Sequence, residues 1–207
     1  MQLLKYHNSF KINLKCTISA LVFAGMVWGI IPAFAQVKLV STTRFGKDLT
    51  EVNLTYILPN GFKEIKPAAN NDGFDYAIEM PDAGFEIWLQ AKSLKMPLKV
   101  KNDKTVNPDS AYIEIGRAQA EEYLGSNNFL SRRVPQRQLD AYGADAGRTY
   151  LVNLPDSPDT KHYKYAMIVV LQKNHVGALE AVCFANELGP GFFKNLNQAN
   201  NCIKFNP

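Results

Sequence analysis

The feature that most constrains this sequence is its N-terminal segment, because it decides which residues have to fold together. The first fifteen residues contain three lysines and no acidic residue, and an apolar run from Cys16 to Phe34 follows them. The run closes with Ala33-Phe34-Ala35, so small residues stand where a signal peptidase requires them. This order predicts a cleavable signal peptide over residues 1–35 and export of the remainder, either to a periplasm or out of the cell.

An uncleaved membrane anchor is the alternative, since an apolar run of roughly 18 residues or more can span a membrane. The Ala-x-Ala ending and the helix-disfavouring Pro32 favour cleavage. Cys16 lies at the start of the run rather than at its end, where a lipid-modified cysteine would stand, so we reject lipidation. We therefore expect no stable membrane insertion once the signal has been removed.

Residues 36–207 are enough for a single globular domain, and no repeat or long linker divides them. The full chain has 23 basic and 19 acidic residues, but Lys5, Lys11 and Lys15 belong to the signal. Without these three lysines the net charge falls by three, from +4 to +1. This near-neutral balance gives no reason to expect a nucleic-acid partner or binding to an anionic membrane surface.

Two cysteines remain after removal of the signal, Cys183 and Cys202. An even number in an exported domain predicts a disulfide, because the compartment outside the cytoplasm permits one. It would close a loop of about twenty residues and stabilise the fold by roughly 3 kcal/mol. A reactive or metal-binding pair is the alternative, but no third sulfur or close histidine completes such a site.

Alternating or continuously apolar runs predict β-strands over much of the mature chain. Pro81-Asp82-Ala83-Gly84 has the residues of a hairpin turn, so the runs on either side of it are expected to pair antiparallel. Tyr165–Leu171 is almost continuously apolar, which is typical of a central strand covered on both faces. The predicted strands are Val52–Leu58, Phe74–Met80, Phe85–Ala91, Gln138–Tyr142, Arg148–Leu154, Tyr163–Leu171 and Gly177–Phe184.

Two helices are predicted among these strands. Asn107 can cap a helix that has Pro108 at its first position, runs to Leu124 and ends at a glycine. A short C-terminal helix is expected over Phe192–Asn200, with Phe193 and Leu196 turned inward. The order of elements indicates an α+β fold in which one long helix and a short C-terminal helix pack on a mainly antiparallel sheet, an αβα sandwich.

Two segments of the chain resemble a known family. Tyr56–Phe62 is an early strand that runs into a Pro-x-Gly-aromatic turn, and Gly143–Arg148 is a turn between later strands. With the single long helix, these segments are similar to PsbP-like domains. The resemblance implies an αβα sandwich over about residues 48–205 and a role as an accessory or binding module, and it supplies no catalytic signature.

Common catalytic and metal motifs are absent from the sequence. It contains no Gly-x-Ser-x-Gly elbow, no His-Glu-x-x-His helix and no Gly-x-x-x-x-Gly-Lys phosphate loop, which argues against those particular enzyme families. His162 and His175 fall at a strand start and in a predicted turn, where exposure to solvent is expected. Asn70-Asn71-Asp72-Gly73 is a weak match to a calcium loop and is better interpreted as a turn. We predict no cofactor or metal.

Four residues are candidates for a binding surface. Trp88 alternates with Phe85, Ile87 and Leu89, so it faces the opposite side of the sheet and would be exposed if only one side were covered. Arg132, Arg133 and Arg137 form a local basic cluster. The cluster is either an anion site or a solvated edge whose charges discourage strand pairing.

These patterns favour an exported, non-catalytic accessory or binding module. Its partner would be a protein, a cell-envelope component or a small apolar ligand, bound on a sheet face or in the groove beside the long helix. A small extracytoplasmic hydrolase with an unrecognised active site is the alternative, and it would require His162 and the acids of residues 155–160 to converge in a concavity. A self-assembling structural subunit is the third hypothesis and would require a large exposed apolar patch.

Overall fold

A computed structural model describes residues 43–67, 73–95, 99–100, 104–105, 107–200 and 202–207. The expected signal segment, residues 1–35, and positions 70–72 of the weak calcium-loop match lie outside this range. The helices are α1 Arg44–Glu51, α2 Ala111–Leu124, α3 Gln136–Tyr142 and α4 Pro190–Ala199. The strands are β1 Leu54–Tyr56, β2 Lys63–Ile65, β3 Tyr76–Met80, β4 Phe85–Ser93, β5 Lys99–Val100, β6 Lys104–Thr105, β7 Leu130–Arg133, β8 Ala146–Asn153, β9 Tyr165–Lys173, β10 Gly177–Ala185 and β11 Ile203–Phe205.

Seven of the described strands form one sheet in the order β2-β3-β4-β10-β9-β8-β7, and each neighbouring pair is antiparallel. At the centre of the sheet, Ala181 of β10 stands opposite Leu89 of β4 and Val169 of β9. The β3–β4 hairpin forms at Pro81–Gly84 as predicted. The short strands β1 and β11 pair separately, as do β5 and β6.

Each face of the sheet carries its own apolar core. On one face, α2 packs its Ile115 and Ala120 against a cluster that includes Trp88 and Tyr150. On the other face, residues of α1, α3 and α4 join a cluster with the alternate residues of β3, β4 and β10. Because successive side chains of a strand point to opposite faces, one set of strands supplies both cores. The α+β class and the αβα sandwich are therefore confirmed, with four described helices rather than two.

The start of α2 follows from its sequence. The Asn107 side chain accepts a hydrogen bond of 3.0 Å from the backbone N–H of Asp109, and a turn of 3-10 helix over Pro108–Ser110 leads into the α-helix. Gly125 ends the helix in the left-handed region at φ 63°, which a residue without a Cβ adopts readily. The predicted long helix is confirmed, and its α-helical part begins at Ala111.

Close approach fixes where α2 lies on the sheet. A Cβ at Gly116 would collide with the ring of Tyr150 and would come within 3.0 Å of Val170 Cγ2. The hydroxyl of the same Tyr150 donates a hydrogen bond of 2.8 Å to the carbonyl of Ile113. The Tyr150 ring of the sheet therefore packs directly against the backbone of α2, at the contact point where Gly116 has no side chain.

The strand predicted over Gln138–Tyr142 is wrong. These residues belong to α3, which follows Pro135 and ends at Gly143. Only Leu139 of this helix is buried, so its apolar residues are too few to show a helical period. Gly143 is at φ 64°, and a Cβ there would lie 2.6 Å from the carbonyl oxygen of Phe205.

Two further expectations require correction, and one helix is additional to the predicted elements. The predicted strand Val52–Leu58 is reduced to Leu54–Tyr56, because Asn53 has φ 53° and cannot continue an extended strand. Phe193 was expected to turn inward, but its side chain is 54% exposed and the neighbouring Phe192 is buried instead. Helix α1 was not expected at all.

Candidate functional site

A cavity of about 280 Å³ lies between the sheet and α4, and we call it the sheet–α4 cavity. Strands β4, β8, β9 and β10 supply its floor, and α3, α4 and the segment that follows α4 supply its roof. The floor residues are Ile87, Leu89, Thr149, Met167, Val169, Leu171, Leu179, Ala181 and Cys183, and the roof residues are Val134, Gln138, Tyr142, Phe193, Leu196, Asn197, Ala199, Asn200, Cys202 and Ile203.

The floor follows from strand alternation and register. Alternate residues of β10 face this cavity, and each of its three lining residues stands beside an apolar residue of β4 and of β9; these are Leu179, Ala181 and Cys183. Cys183, for example, stands between Ile87 and Met167. The small Ala181 occupies the middle of this surface. A methyl group there leaves space that a larger side chain would fill.

Three polar side chains of the roof, those of Tyr142, Asn197 and Asn200, already have hydrogen-bond partners. The Tyr142 hydroxyl donates a hydrogen bond of 2.9 Å to Asn200 Oδ1, and Asn200 Nδ2 donates one of 3.0 Å to Asn197 Oδ1. Burial raises the pKa of Tyr142 to about 12, so this hydroxyl keeps its proton at neutral pH. These groups leave the cavity predominantly apolar.

Cys183 and Cys202 both line this cavity, but the predicted disulfide between them is not formed, and both are free cysteines. Burial raises the pKa of each thiol to about 12. Since the thiolate is the reactive form in disulfide chemistry, apolar surroundings hold the two residues as unreactive thiols. The sequence predicted correctly only that the two cysteines would lie in the same region of the fold.

A second space of about 320 Å³, which we call the edge groove, adjoins the cavity. It runs to the edge of the sheet at β7, between Leu130 and Arg132 of that strand and Phe192 at the start of α4. Thr149, Met167 and Phe193 line both spaces. The remaining lining residues of the edge groove are Leu151 and Leu188.

The prediction that Trp88 is a surface aromatic is wrong. Its side chain is fully buried under α2, and its Nε1 donates a hydrogen bond of 2.9 Å to Glu86 Oε2. The alternation that set Trp88 opposite Phe85 was predicted correctly. The face that it occupies is covered, however, because both sides of the sheet carry helices.

The three arginines are exposed, but they do not form one site. Arg132 stands opposite Thr149 and lines the edge groove, whereas Arg133 stands opposite Arg148 on the α2 side of the sheet. Arg137 is exposed on α3. Strand β7 is an edge strand with all four residues exposed, so Arg132 and Arg133 lie on a charged sheet edge. Of the three arginines, only Arg132 lines one of the two spaces described above.

The histidines do not assemble a catalytic site. His162 Nδ1 lies 2.6 Å from Asp156 Oδ1, but the two side chains are 63% and 85% exposed and line none of the cavities described here. His175 is exposed in the β9–β10 turn. Within the described ranges, no group of three or more His, Cys, Asp or Glu residues could hold a metal ion.

Sequence reasoning missed a buried carboxylate, Glu86, which is 5% exposed on the α2 face. Besides Trp88 Nε1, its oxygens accept hydrogen bonds from Lys161 Nζ at 2.8 and 3.0 Å and from the Tyr163 hydroxyl at 3.2 Å. A carboxylate with this many donors is saturated and has no lone pair directed at a substrate. Strand alternation could have placed Glu86 beside Trp88, but not Lys161, which comes from a distant loop.

No helix in the described ranges is long and apolar enough to cross a membrane.

No protein-family model matches the chain, and no curated protein sequence does. The chain is similar to the solution structure of cyanobacterial PsbP (CyanoP) from Synechocystis sp. PCC 6803, with a TM-score of 0.44 and 11% sequence identity over 76% of this chain and 89% of that one. At this identity the likeness concerns the fold alone and carries no conclusion about ligand or partner. At the level of the fold, the chain resembles the PsbP-like proteins.

Proposed function

We propose that this protein is a non-catalytic binding module that holds a small apolar ligand in the sheet–α4 cavity. We further propose that it works outside the cytoplasm, as a single domain of residues 36–207, after cleavage of the signal. The observation that carries the binding proposal is a cavity of about 280 Å³ with a continuous apolar floor. Ligand pockets begin at about 300 Å³, and a dry apolar cavity of about 150 Å³ in another protein binds benzene.

The chemistry of the lining supports binding rather than catalysis. Its titratable groups in the described ranges are Tyr142, Cys183 and Cys202, and burial raises the pKa of each to about 12. All three keep their protons at neutral pH, so none supplies a ready base or nucleophile. The hydrolase alternative loses support for a separate reason: it requires His162 and the nearby acids to converge in a concavity, and His162 and Asp156 face solvent instead.

The position of the cavity differs from the groove expected beside the long helix. It lies on the opposite face of the sheet from α2, under the shorter α4. The α2 face contains the fully buried Trp88 and Phe184, and such a closely packed interior leaves little room for a ligand. The ligand therefore belongs to the α4 side.

Native mass spectrometry of the protein isolated from the extracytoplasmic fraction of its own cells tests both parts of this proposal. We expect a chain that begins at Gln36 and carries a small companion molecule, and a denatured sample that has lost the companion. The variant Ala181→Leu fills the middle of the floor and should lose it as well. The matched control Ala83→Leu lies in the exposed β3–β4 turn and should retain it.

The two parts can fail separately. A chain that starts before Gln36, or that stays in the membrane fraction with its apolar segment, would contradict export. A companion retained equally by Ala181→Leu and Ala83→Leu would contradict binding in the sheet–α4 cavity.

A further inference from the structure

We propose that the ligand is a long-chain carboxylic acid whose alkyl chain lies in the sheet–α4 cavity and whose carboxylate meets Arg132 at the mouth of the edge groove. This inference rests on the proposed function and names the class of ligand for the same site. It is carried by the continuity of the two spaces, by the position of their charge and by the exposed apolar residues around them.

The sheet–α4 cavity and the edge groove adjoin each other. Thr149, Met167 and Phe193 line both spaces, so the two together extend from under α4 across β8 and β9 toward β7, and in this proposal they act as one channel. The two volumes are about 280 and 320 Å³. An elongated channel of this kind suits a flexible chain better than a compact ring system.

Charge marks one end of the channel. Among the described residues that line either space, Arg132 is the only Asp, Glu, Lys, Arg or His. It forms no ion pair with any described residue. A guanidinium group presents paired donors that fit the two oxygens of a carboxylate. A cation that has no ion-pair partner among the described residues, beside a lining that is otherwise uncharged over those residues, is complementary to an amphipathic anion.

Exposed apolar side chains lie around the same mouth. The structure describes four large hydrophobic residues as exposed, and two of them, Leu130 at 70% and Phe193 at 54%, line the edge groove. Leu130 is on the same strand as Arg132 and shares its face, because the two are separated by one residue. An alkyl chain between Leu130 and Phe193 would remove both from water while its carboxylate stays at the solvated arginine.

Binding of matched alkyl ligands to the protein tests this inference. Dodecanoate, dodecanol and dodecyl phosphate share one chain and differ in the head group, and their dissociation constants can be measured by isothermal titration below the concentrations at which they aggregate. We expect dodecanoate to bind about two- to fivefold more tightly than dodecanol, as befits a partly solvated ion pair. This advantage should shrink at high salt, which screens the charges.

Arginine variants locate the head group. Arg132→Gln should remove the advantage of dodecanoate and leave the affinity for dodecanol unchanged. Arg133→Gln is the matched control, because it removes the same charge from the next residue of β7, which faces the other side of the sheet. That control should preserve the advantage.

The outcomes separate this inference from the proposed function. Equal binding of dodecanoate and dodecanol, sensitive to Ala181→Leu, would overturn the carboxylate and retain the apolar cavity. Equal losses in Arg132→Gln and Arg133→Gln would overturn the assignment to Arg132. If dodecyl phosphate binds more tightly than dodecanol and dodecanoate does not, the carboxylate is overturned in favour of a phosphate. A polypeptide companion in native mass spectrometry would overturn an alkyl ligand. Absence of binding by every probe would contradict both proposals.

Discussion

At the scale of single residues, the two faces of the sheet differ in whether their buried polar groups are charged. The α2 face buries charge, and Glu86 there has donors from Trp88, Lys161 and Tyr163. The sheet–α4 cavity on the other face holds its titratable groups uncharged, since burial raises the pKa values of Cys183 and Cys202 to about 12. Buried ion pairs such as that of Glu86 with Lys161 lie on one face, and a neutral apolar lining leaves the other open to a ligand.

We expect Glu86→Ala to lower the free energy of unfolding by about 2–3 kcal/mol. The substitution leaves the buried Trp88 N–H without an acceptor and deprives Lys161 of its partner, and losses of this kind cost more than an exposed ion pair contributes. Urea denaturation measures the change. The matched control Glu79→Ala removes a carboxylate directly opposite Glu86, where Glu79 pairs with the exposed Lys63, and should cost no more than about 1 kcal/mol. Similar losses in both variants would show that burial of Glu86 is not what matters.

The sequence predicted the direction of many side chains but not their burial. Alternation correctly set Trp88 opposite Ile87 and Leu89. Whether Trp88 is exposed depends on α2, which packs against β8, β9 and β10 through contacts that no local pattern encodes. Likewise, the number of cysteines and their expected compartment indicated that Cys183 and Cys202 would lie in the same region of the fold, but not that they would line an apolar cavity as thiols.

At the scale of elements, prediction succeeded where a segment is long and strongly patterned. The β3–β4 hairpin, β9, β10 and α2 have clear periods, turns or caps. Prediction failed for α3, which buries only Leu139, and for α1, whose eight residues are capped by the Thr43 hydroxyl at 3.1 Å from the Gly46 N–H. Short helices of this kind are stabilised mainly by tertiary contacts. A single-sequence pattern contains little of that information.

The packing of α2 gives a test at this scale. In an isolated helix, Gly116→Ala would stabilise by about 1 kcal/mol. Here the added methyl group would collide with the Tyr150 ring, so we expect a net loss of about 1–3 kcal/mol. Gly191→Ala in α4 is the matched control, because a Cβ there meets no described heavy atom within 4 Å, and it should be neutral or slightly stabilising. A thermal or urea unfolding series that ranks Gly116→Ala as the more stable variant would contradict the close approach.

At the scale of the whole molecule, the candidate site is formed by segments that are far apart in the sequence. Its floor comes from four strands between Phe85 and Ala185, and its roof from α3, α4 and the chain after them. No motif marks such a cavity, because each contributing residue is an ordinary apolar residue of a strand or helix. Arg132 was noticed in the sequence only as part of a basic cluster. The register of β7 on β8 separates it from Arg133 and gives it a distinct position at the groove.

The neutral lining also predicts how stability depends on pH. The pKa of Cys183 and of Cys202 is raised by burial from 9.0 to about 12, and that of Tyr142 from 10.0 to about 12. Above pH 9 the unfolded chain therefore loses thiol protons that the folded protein retains. The stabilisation is present in full below about pH 9 and is lost as the pH rises to about 12, by up to roughly 1.4 kcal/mol per pH unit for each thiol.

Urea midpoints of the reduced protein at pH 8, 9 and 10 measure this loss, and the double variant Cys183→Ala/Cys202→Ala isolates the contribution of the thiols. The variant should be less stable at pH 8, since it removes buried volume. Its stability should fall less steeply above pH 9, because only the tyrosines and surface groups still titrate. The slope of stability against pH, rather than the absolute stability, is the decisive quantity. If the cysteines had a purely steric role, the curve of the variant would lie below that of the unsubstituted protein and run parallel to it. Parallel curves would mean that the thiols ionise freely and that the cavity is wetter than its apolar lining implies.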